Sequence, residues 1–542
     1  MTTKSGRPGP APDIREKRLG QLAELDGQIL ELLGKRAALL AREAEWRRSR
    51  GKAGNDPALE KDLFNVWTET GRRLGLDRQL LRQLFNLTGL FVPSRARTDA
   101  PGTGAYGLAP RREPLALSLP GPRSLAATRA WVVLAAAANR DLALAPIILN
   151  DPLVDLVRAL NQVGARLSWA EELVEHQSAD APGLDFEGKV VFTGNDPFNL
   201  CVLVALALGD AGRVKLTGGP ALKLLDTALF NVVLPRLGAR IVPLNPRSSG
   251  LPARLEFGGE MAAEVELPAP MPPYFAAALA LAAWSYPQGL HIRFTDSFEM
   301  RAALAPVVRV LNTAGVEARL EPGLCAVPHG SPHVPPGVDV PLDPVLSAYL
   351  LALPAFADGR CELTGRLDPD DPTAAFVLER LGALGLDLRR TETDVTTQAL
   401  KLPEGDIILG RVPELFPLAL AFALRARRPM TVQTPEDGAM DDLGEELLAR
   451  LGADFSLEPG AFQVRPGALS WDAPWTCPTP HFALGLALAA FVKPGLSLEN
   501  PGVLTALWPQ FFAIYNGLPT GKPRPKPAVE KADAPAKRRV RL

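Results

Sequence analysis

The sequence predicts an α/β (α+β) protein: repeated mixed subdomains behind an all-helical front. Three observations carry this. From about residue 113 to 516 the chain alternates helical and strand patterns, whereas residues 14–92 read as helices only. Five segments, "LNQVGARLSW", "LPRLGARIVPL", "LNTAGVEARL", "LGALGLDLRR" and "LARLGADFSL", share one form: an apolar helix end, a glycine, then a short strand. Their glycines, Gly164, Gly238, Gly315, Gly385 and Gly452, lie 67 to 77 residues apart, too far for a solenoid unit and suited to α/β subdomains.

In chain order, "MTTKSGRPGPAPD" (1–13) lacks the apolar core of a signal peptide and reads as a disordered start. In "LAELDGQILELLGKRAALLAREAEWRR", Leu22, Ile29 and Arg36 keep heptad spacing beside a stripe of Leu25, Leu32 and Leu39. Arg36 therefore sits in an apolar face, where an unpaired charge is costly. Arg47 follows eleven residues later, three turns on and on the same side. Two inward arginines suggest a dicarboxylate site; snorkelling, or pairing with an acid such as Glu60, is the alternative. A second helix is predicted from Asp56-Pro57, a cap followed by proline at the first helical position, and a third from near Asp77. A Pro/Gly-rich linker spans 93–112, and a Pro/Lys/Arg/Ala-rich tail, 517–542, reads as disordered. In the body, a glycine after each apolar helix end is expected to take the left-handed conformation that closes the helix.

At 542 residues the chain exceeds one ordinary core, so two or three domains are expected. A net charge of −1 implies neither nucleic acid nor anionic membrane as a partner. Cys201, Cys325, Cys361 and Cys477 lie far apart, which argues against a disulfide framework or zinc knuckle and fits a reducing cytoplasm. His329 and His333 have ligand-like spacing but sit in "PHGSPHVPPG", a loop, so no metal is expected. Apolar runs such as "YFAAALALAAW" stop short of the roughly 20 residues that span a bilayer.

The repeated helix–LGA–strand form, with "PGPRSLAATRA" ahead of it and "NPGVLTALWPQFF" behind, resembles EPSP synthase (3-phosphoshikimate 1-carboxyvinyltransferase). "TGNDPFNL", "KLTGGPALK", "LDPVLSAYLLALPAF", "VPELFPLALAFAL" and "TPHFALGLALAAF" extend the likeness over roughly 400 residues. The resemblance implies two lobes of three βαβαββ-type units each. One lobe would span about 123–342, and the other about 113–122 plus 343–516. It implies transfer of the enolpyruvyl group of phosphoenolpyruvate to shikimate 3-phosphate in the cleft between lobes, with no cofactor. On this mapping Glu414 and His481 are catalytic, and Arg123, Ser124, Arg129, Asn195, Lys223 and Asp343 bind substrate.

Both substrates are polyanions, so such a cleft needs many Lys and Arg donors. Here the family pattern is thinned. Arg123 replaces its lysine, Thr128 holds its arginine position with Arg129 next to it, and Pro197 and Cys201 stand for a glycine and an arginine. Leu225 replaces another arginine, and the serines and glutamine that hold phosphate become Pro272, Pro273 and Tyr274. Phe298 replaces a tyrosine, Glu414 the catalytic aspartate, Glu436 and Met440 a lysine and an arginine, and Phe482 an arginine. Ala506 stands where the closing segment carries a lysine. A charge-assisted hydrogen bond contributes about 1.5–3 kcal/mol, so losing four or five removes on the order of 6–15 kcal/mol of anion binding.

The front 75 or so residues resemble the AroQ class of chorismate mutase, a three-helix dimer, which implies Arg36, Arg47 and Glu60 as site residues and a homodimer. Leu19, Leu59 and Ala96 stand where that class has polar ligands. Three readings follow: a transferase with a rewritten site, a chorismate mutase with an inert companion, and a non-catalytic scaffold or metabolite sensor. All three place the protein in aromatic amino-acid biosynthesis.

Overall fold

The computed structural model describes residues 105–521, except 112, 181–182, 211, 246–248, 336, 401–405, 437 and 439. It also describes 57–75 and scattered helical positions within 25–40 and 81–88. Arg47, the side chain of Glu60, the start 1–13, most of the linker and the tail beyond Gly521 lie outside the described residues.

The body holds two hydrophobic cores. One gathers buried residues from Ala127 to Val340; the other runs from Leu342 to Leu518 and takes in Leu108, Leu115, Leu117 and Ile148. Each core is built from helices too apolar on every side to sit at a surface. Leu125–Ala137, Pro197–Asp210 and Pro273–Ala282 fill the first, and Pro344–Leu351, Phe416–Arg425 and Pro480–Val492 the second. Helices Phe416–Arg425 and Pro480–Val492 approach so closely at Gly485 that a Cβ there would meet Pro417 at 2.7 Å.

Short sheets cover these helices. Val190–Phe192 pairs in parallel with Lys215–Thr217, followed by the antiparallel strands Ala253–Phe257 and Ala239–Pro243. Glu264–Glu266, Leu290–Arg293, Leu324–Val327 and Arg319–Glu321 repeat that order, as do Leu115–Pro120, Gly359–Thr364, Asp394–Ala399 and Leu386–Arg390. A parallel pair needs a crossover, usually a helix, and Pro197–Asp210 and Pro273–Ala282 supply two of them. Among the described residues, two further sheets have three strands and another has two, Tyr106–Gly107 against Ser497–Leu498. The mixed α/β fold class is as expected. All five glycines of the repeated form have positive φ, from 58° at Gly452 to 109° at Gly164, so each ends its helix in a conformation that a Cβ disfavours.

The neutral segment before the tail is core rather than surface. Leu504, Trp508 and Phe511 are buried, with Trp508 and Phe511 rings 5.4 Å apart. At the front, helix Pro57–Arg73 brings Phe64 and Trp67 within 5.3 and 5.4 Å of Phe85. Leu25, Ile29, Leu32 and Leu39 are more than half exposed, so the apolar stripe read from the heptads is not buried within this chain.

Two strands join the lobes. Arg123 and Leu342 pair as an antiparallel bridge, the Ser124 amide donates to Pro341 O at 2.8 Å, and the Asp343 amide donates to Pro122 O at 2.7 Å. Ser124 caps helix Leu125–Ala137 and Asp343 caps helix Pro344–Leu351, accepting from the Leu346 amide at 2.9 Å. Burial pushes the Asp343 carboxyl up to about 6, and it also raises that of its neighbour Asp371.

That shift sets a pH dependence. Folded Asp343 keeps its proton to about pH 6, whereas an unfolded aspartate releases it near 4. Between those values the folded state binds more protons, so this group's contribution is fully present below pH 4 and is lost as pH rises through 6. Two units correspond to about 3 kcal/mol. Asp343→Asn keeps the cap and removes the titration. In urea unfolding, its stability relative to the unaltered chain should rise by up to about 3 kcal/mol between pH 4 and 7. A constant difference across that range would contradict the assignment.

Candidate active-site cleft

From lobe one, the cleft receives the start of helix Pro197–Asp210. Asp196 caps it, its Oδ1 accepting from the Phe198 amide at 2.9 Å and the Asn199 amide at 3.3 Å. The same oxygen takes Arg129 Nη1 at 3.1 Å, and the Arg129 guanidinium lies 4.7 Å over the Phe198 ring. Tyr274 completes the cluster. Its phenol is pushed up to about 12, chiefly by burial and secondarily by Cys201 and the Asp196 carboxylate. Arg129 is thus neutralised from within the lobe, in low-dielectric surroundings where opposite charges hold tightly. Asp196 is the residue that sequence reasoning missed. Its signal was legible: an aspartate directly before proline, at the start of an apolar helix.

The other predicted substrate ligands lie in lobe one or at the crossing between the lobes. Asn195 is exposed and its Oδ1 accepts from the Ala221 amide at 3.0 Å, fixing helix Pro220–Leu224. Lys223 lies half-buried in that helix's last turn. Arg123 donates to Val340 O at 3.1 Å and stands 3.8 Å from Asp339, which also pairs with Arg366 at 3.1 Å. Ser124 and Asp343 each cap a helix. Pro272 and Pro273, which the resemblance maps to phosphate ligands, open helix Pro273–Ala282 with no side-chain cap. Proline also brings no backbone donor.

In lobe two, the two predicted catalytic residues are neighbours through one hydroxyl. Tyr349 Oη donates to Glu414 O at 2.7 Å and to His481 O at 3.4 Å, tying the turn Pro413–Leu415 ahead of Phe416–Arg425 to the first turn of Pro480–Val492. Glu414 is exposed. Burial drives the His481 imidazole down to about 4, so it is neutral at pH 7 and offers no charge to an anion. The four cysteines are all buried thiols, and no group of His, Cys, Asp and Glu suited to a metal occurs among the described residues.

The lobes meet directly. Phe298 of lobe one sits 5.8 Å from Phe376 and under Arg411 at 4.9 Å, both from lobe two. Asn150 Nδ2 donates to Leu507 O at 3.2 Å and the Asp151 amide reaches Ala506 O at 3.5 Å. Arg301, another cation near this edge, pairs with Asp296 at 3.4 Å. Arg123, Arg129, Arg301 and Arg411 are therefore each engaged by the protein itself. In the helical front, Arg36 lies 5.1 Å over Phe85 and 5.6 Å from Trp67, half-buried between rings.

Comparison with known proteins fits this architecture. Residues 116–514 match the family model for EPSP synthase (3-phosphoshikimate 1-carboxyvinyltransferase), and residues 19–88 match that for chorismate mutase type II. The 3-phosphoshikimate 1-carboxyvinyltransferase of Shewanella sp. (strain ANA-3) is 24% identical over 422 residues, covering 74% of this chain and 96% of that protein. Its counterpart in Bordetella petrii is 24% identical over 434 residues, covering 75% and 95%. A solved EPSP synthase from Acinetobacter baumannii shares the fold with a TM-score of 0.65 at 16% identity, over 76% of this chain and 98% of that one. With a model matching most of its length, the chain belongs to the EPSP synthase family and carries a chorismate mutase type II segment ahead of it.

Proposed function

We propose that this protein serves the shikimate pathway as a non-catalytic member of its family, keeping the two-lobed scaffold without enolpyruvyl transfer. The observation that carries this is the pairing of Arg129 with Asp196. The arginine beside a family phosphate-binding position already has its counter-ion. Shikimate 3-phosphate would have to displace a carboxylate that also caps a helix, and Ala506, where the family carries a lysine, is uncharged. Glu414 retains a carboxylate but faces no imidazolium, since His481 is neutral. A scaffold in the cytoplasm is what remains, and the four thiols suit that compartment.

The purified protein, given shikimate 3-phosphate and phosphoenolpyruvate, should release no phosphate above a protein-free control. Release that disappears in Glu414→Ala would overturn the proposal and establish a transferase with recruited cations.

A second reading concerns the front segment. Arg36 lies inside the helices between Trp67 and Phe85, on the stretch matched to chorismate mutase type II, as an inward-facing carboxylate clamp requires. Chorismate is its substrate on this reading, and a homodimer covering Leu25, Ile29, Leu32 and Leu39 its assembly. Chorismate consumption by the full chain, abolished in Arg36→Ala while the melting transition persists, is the expected result. An unchanged rate in that variant would remove the assignment.

A further inference from the structure

Among the described residues, contacts between the lobes beyond the crossing itself include three separate places, and together they form a clamp. Beside the hinge, Arg309 of helix Phe298–Thr313 pairs with the buried carboxylate of Asp368 and lies 3.8 Å from Asp370. That helix also packs on Pro372–Ala383 of lobe two. In the middle, the Phe298 ring is held between Phe376 and the Arg411 guanidinium. At the far side, Asn150 and the Asp151 amide reach Leu507 O and Ala506 O, and Gln510 Nε2 donates to Glu172 Oε1 at 3.2 Å.

Each contact joins groups of opposite character. One is an ion pair, one a ring between a ring and a cation, and one a set of hydrogen bonds, of which one is accepted by the Glu172 carboxylate. None needs a bound anion to bridge two cations. Where like charges face each other across a cleft, closure waits for a ligand to neutralise them. Here the facing groups attract without one. The residues in the middle and at the far side, Phe298 and Ala506–Leu507, occupy positions that the family devotes to substrate.

We infer that the two lobes are clamped shut by the protein's own side chains, so that the closed form is the resting state and ligand is not required to reach it. The clamp is an autoinhibitory contact: anything entering the cleft must first part Phe298 from Arg411 and Asn150 from Leu507. It stands apart from the question of turnover, because a slow transferase and an inert scaffold can both carry it.

The test is a distance measurement between lobes. The native thiols are buried, so spin labels at Arg158→Cys in lobe one and Asp442→Cys in lobe two, both exposed positions, report the gap. Pulsed electron resonance on the full chain should give one narrow distance distribution, unchanged by shikimate 3-phosphate with phosphoenolpyruvate. Adding Phe298→Ala and Arg309→Ala should bring in a longer-distance population. A broad or long distribution in the otherwise unaltered chain that shortens on adding the two anions would overturn the clamp. So would an unshifted distribution in a doubly altered chain that still melts cooperatively. Phosphate release, measured on the same samples, fails or succeeds separately.

Discussion

Everything in the body hangs on the antiparallel crossing of Arg123 and Leu342. Strands Leu115–Pro120 and Gly359–Thr364 lie side by side and parallel, and parallel neighbours require a long connection. The whole of lobe one is that connection. Two backbone hydrogen bonds and two helix caps, Ser124 and Asp343, are therefore packed into the few residues where the chain leaves one lobe and returns. A site between the lobes inherits its geometry from this crossing, because one buried helix of each lobe, Leu125–Ala137 and Pro344–Leu351, begins at it.

The scaffold was legible because its rules are local. Glycine closes a helix for reasons contained in four residues, and all five repeated glycines adopt the required positive φ. Helices such as "PHFALGLALAAF" are apolar on every face and can only be interior. The cleft was less legible because its decisive contacts are remote in sequence. The resemblance maps Arg129 as a substrate ligand, and no local signal there points to Asp196, 67 residues on, with which it forms a half-buried pair. Phe298 and Arg411 sit more than a hundred residues apart, and no spacing rule connects them. The apolar heptads at the front showed that a face wants burial without showing what covers it.

What was lost from the family pattern was replaced by self-sufficiency rather than by empty space. Pro272 and Pro273 start a helix at the positions that the resemblance maps to phosphate ligands, and Leu507 O accepts from the Asn150 side-chain amide next to Ala506. A buried charge left without its partner is costly, so a chain that sheds substrate contacts must pair or remove the remaining ones. Arg129 with Asp196 and Arg123 with Asp339 are the paired cases; Ala506 and Phe482 are the removed ones.

The central claim is that the cleft no longer holds a polyanion. Losing even about 6 kcal/mol of charge-assisted binding is more than four decades of affinity, enough to carry a micromolar site past millimolar. The direct measurement is a phosphorus NMR titration of shikimate 3-phosphate with the full chain, phosphoenolpyruvate present. The account predicts a phosphate resonance whose position and width show no saturable change. Saturable broadening that is lost in Arg129→Ala would show that Asp196 yields its partner to substrate, and would contradict the account.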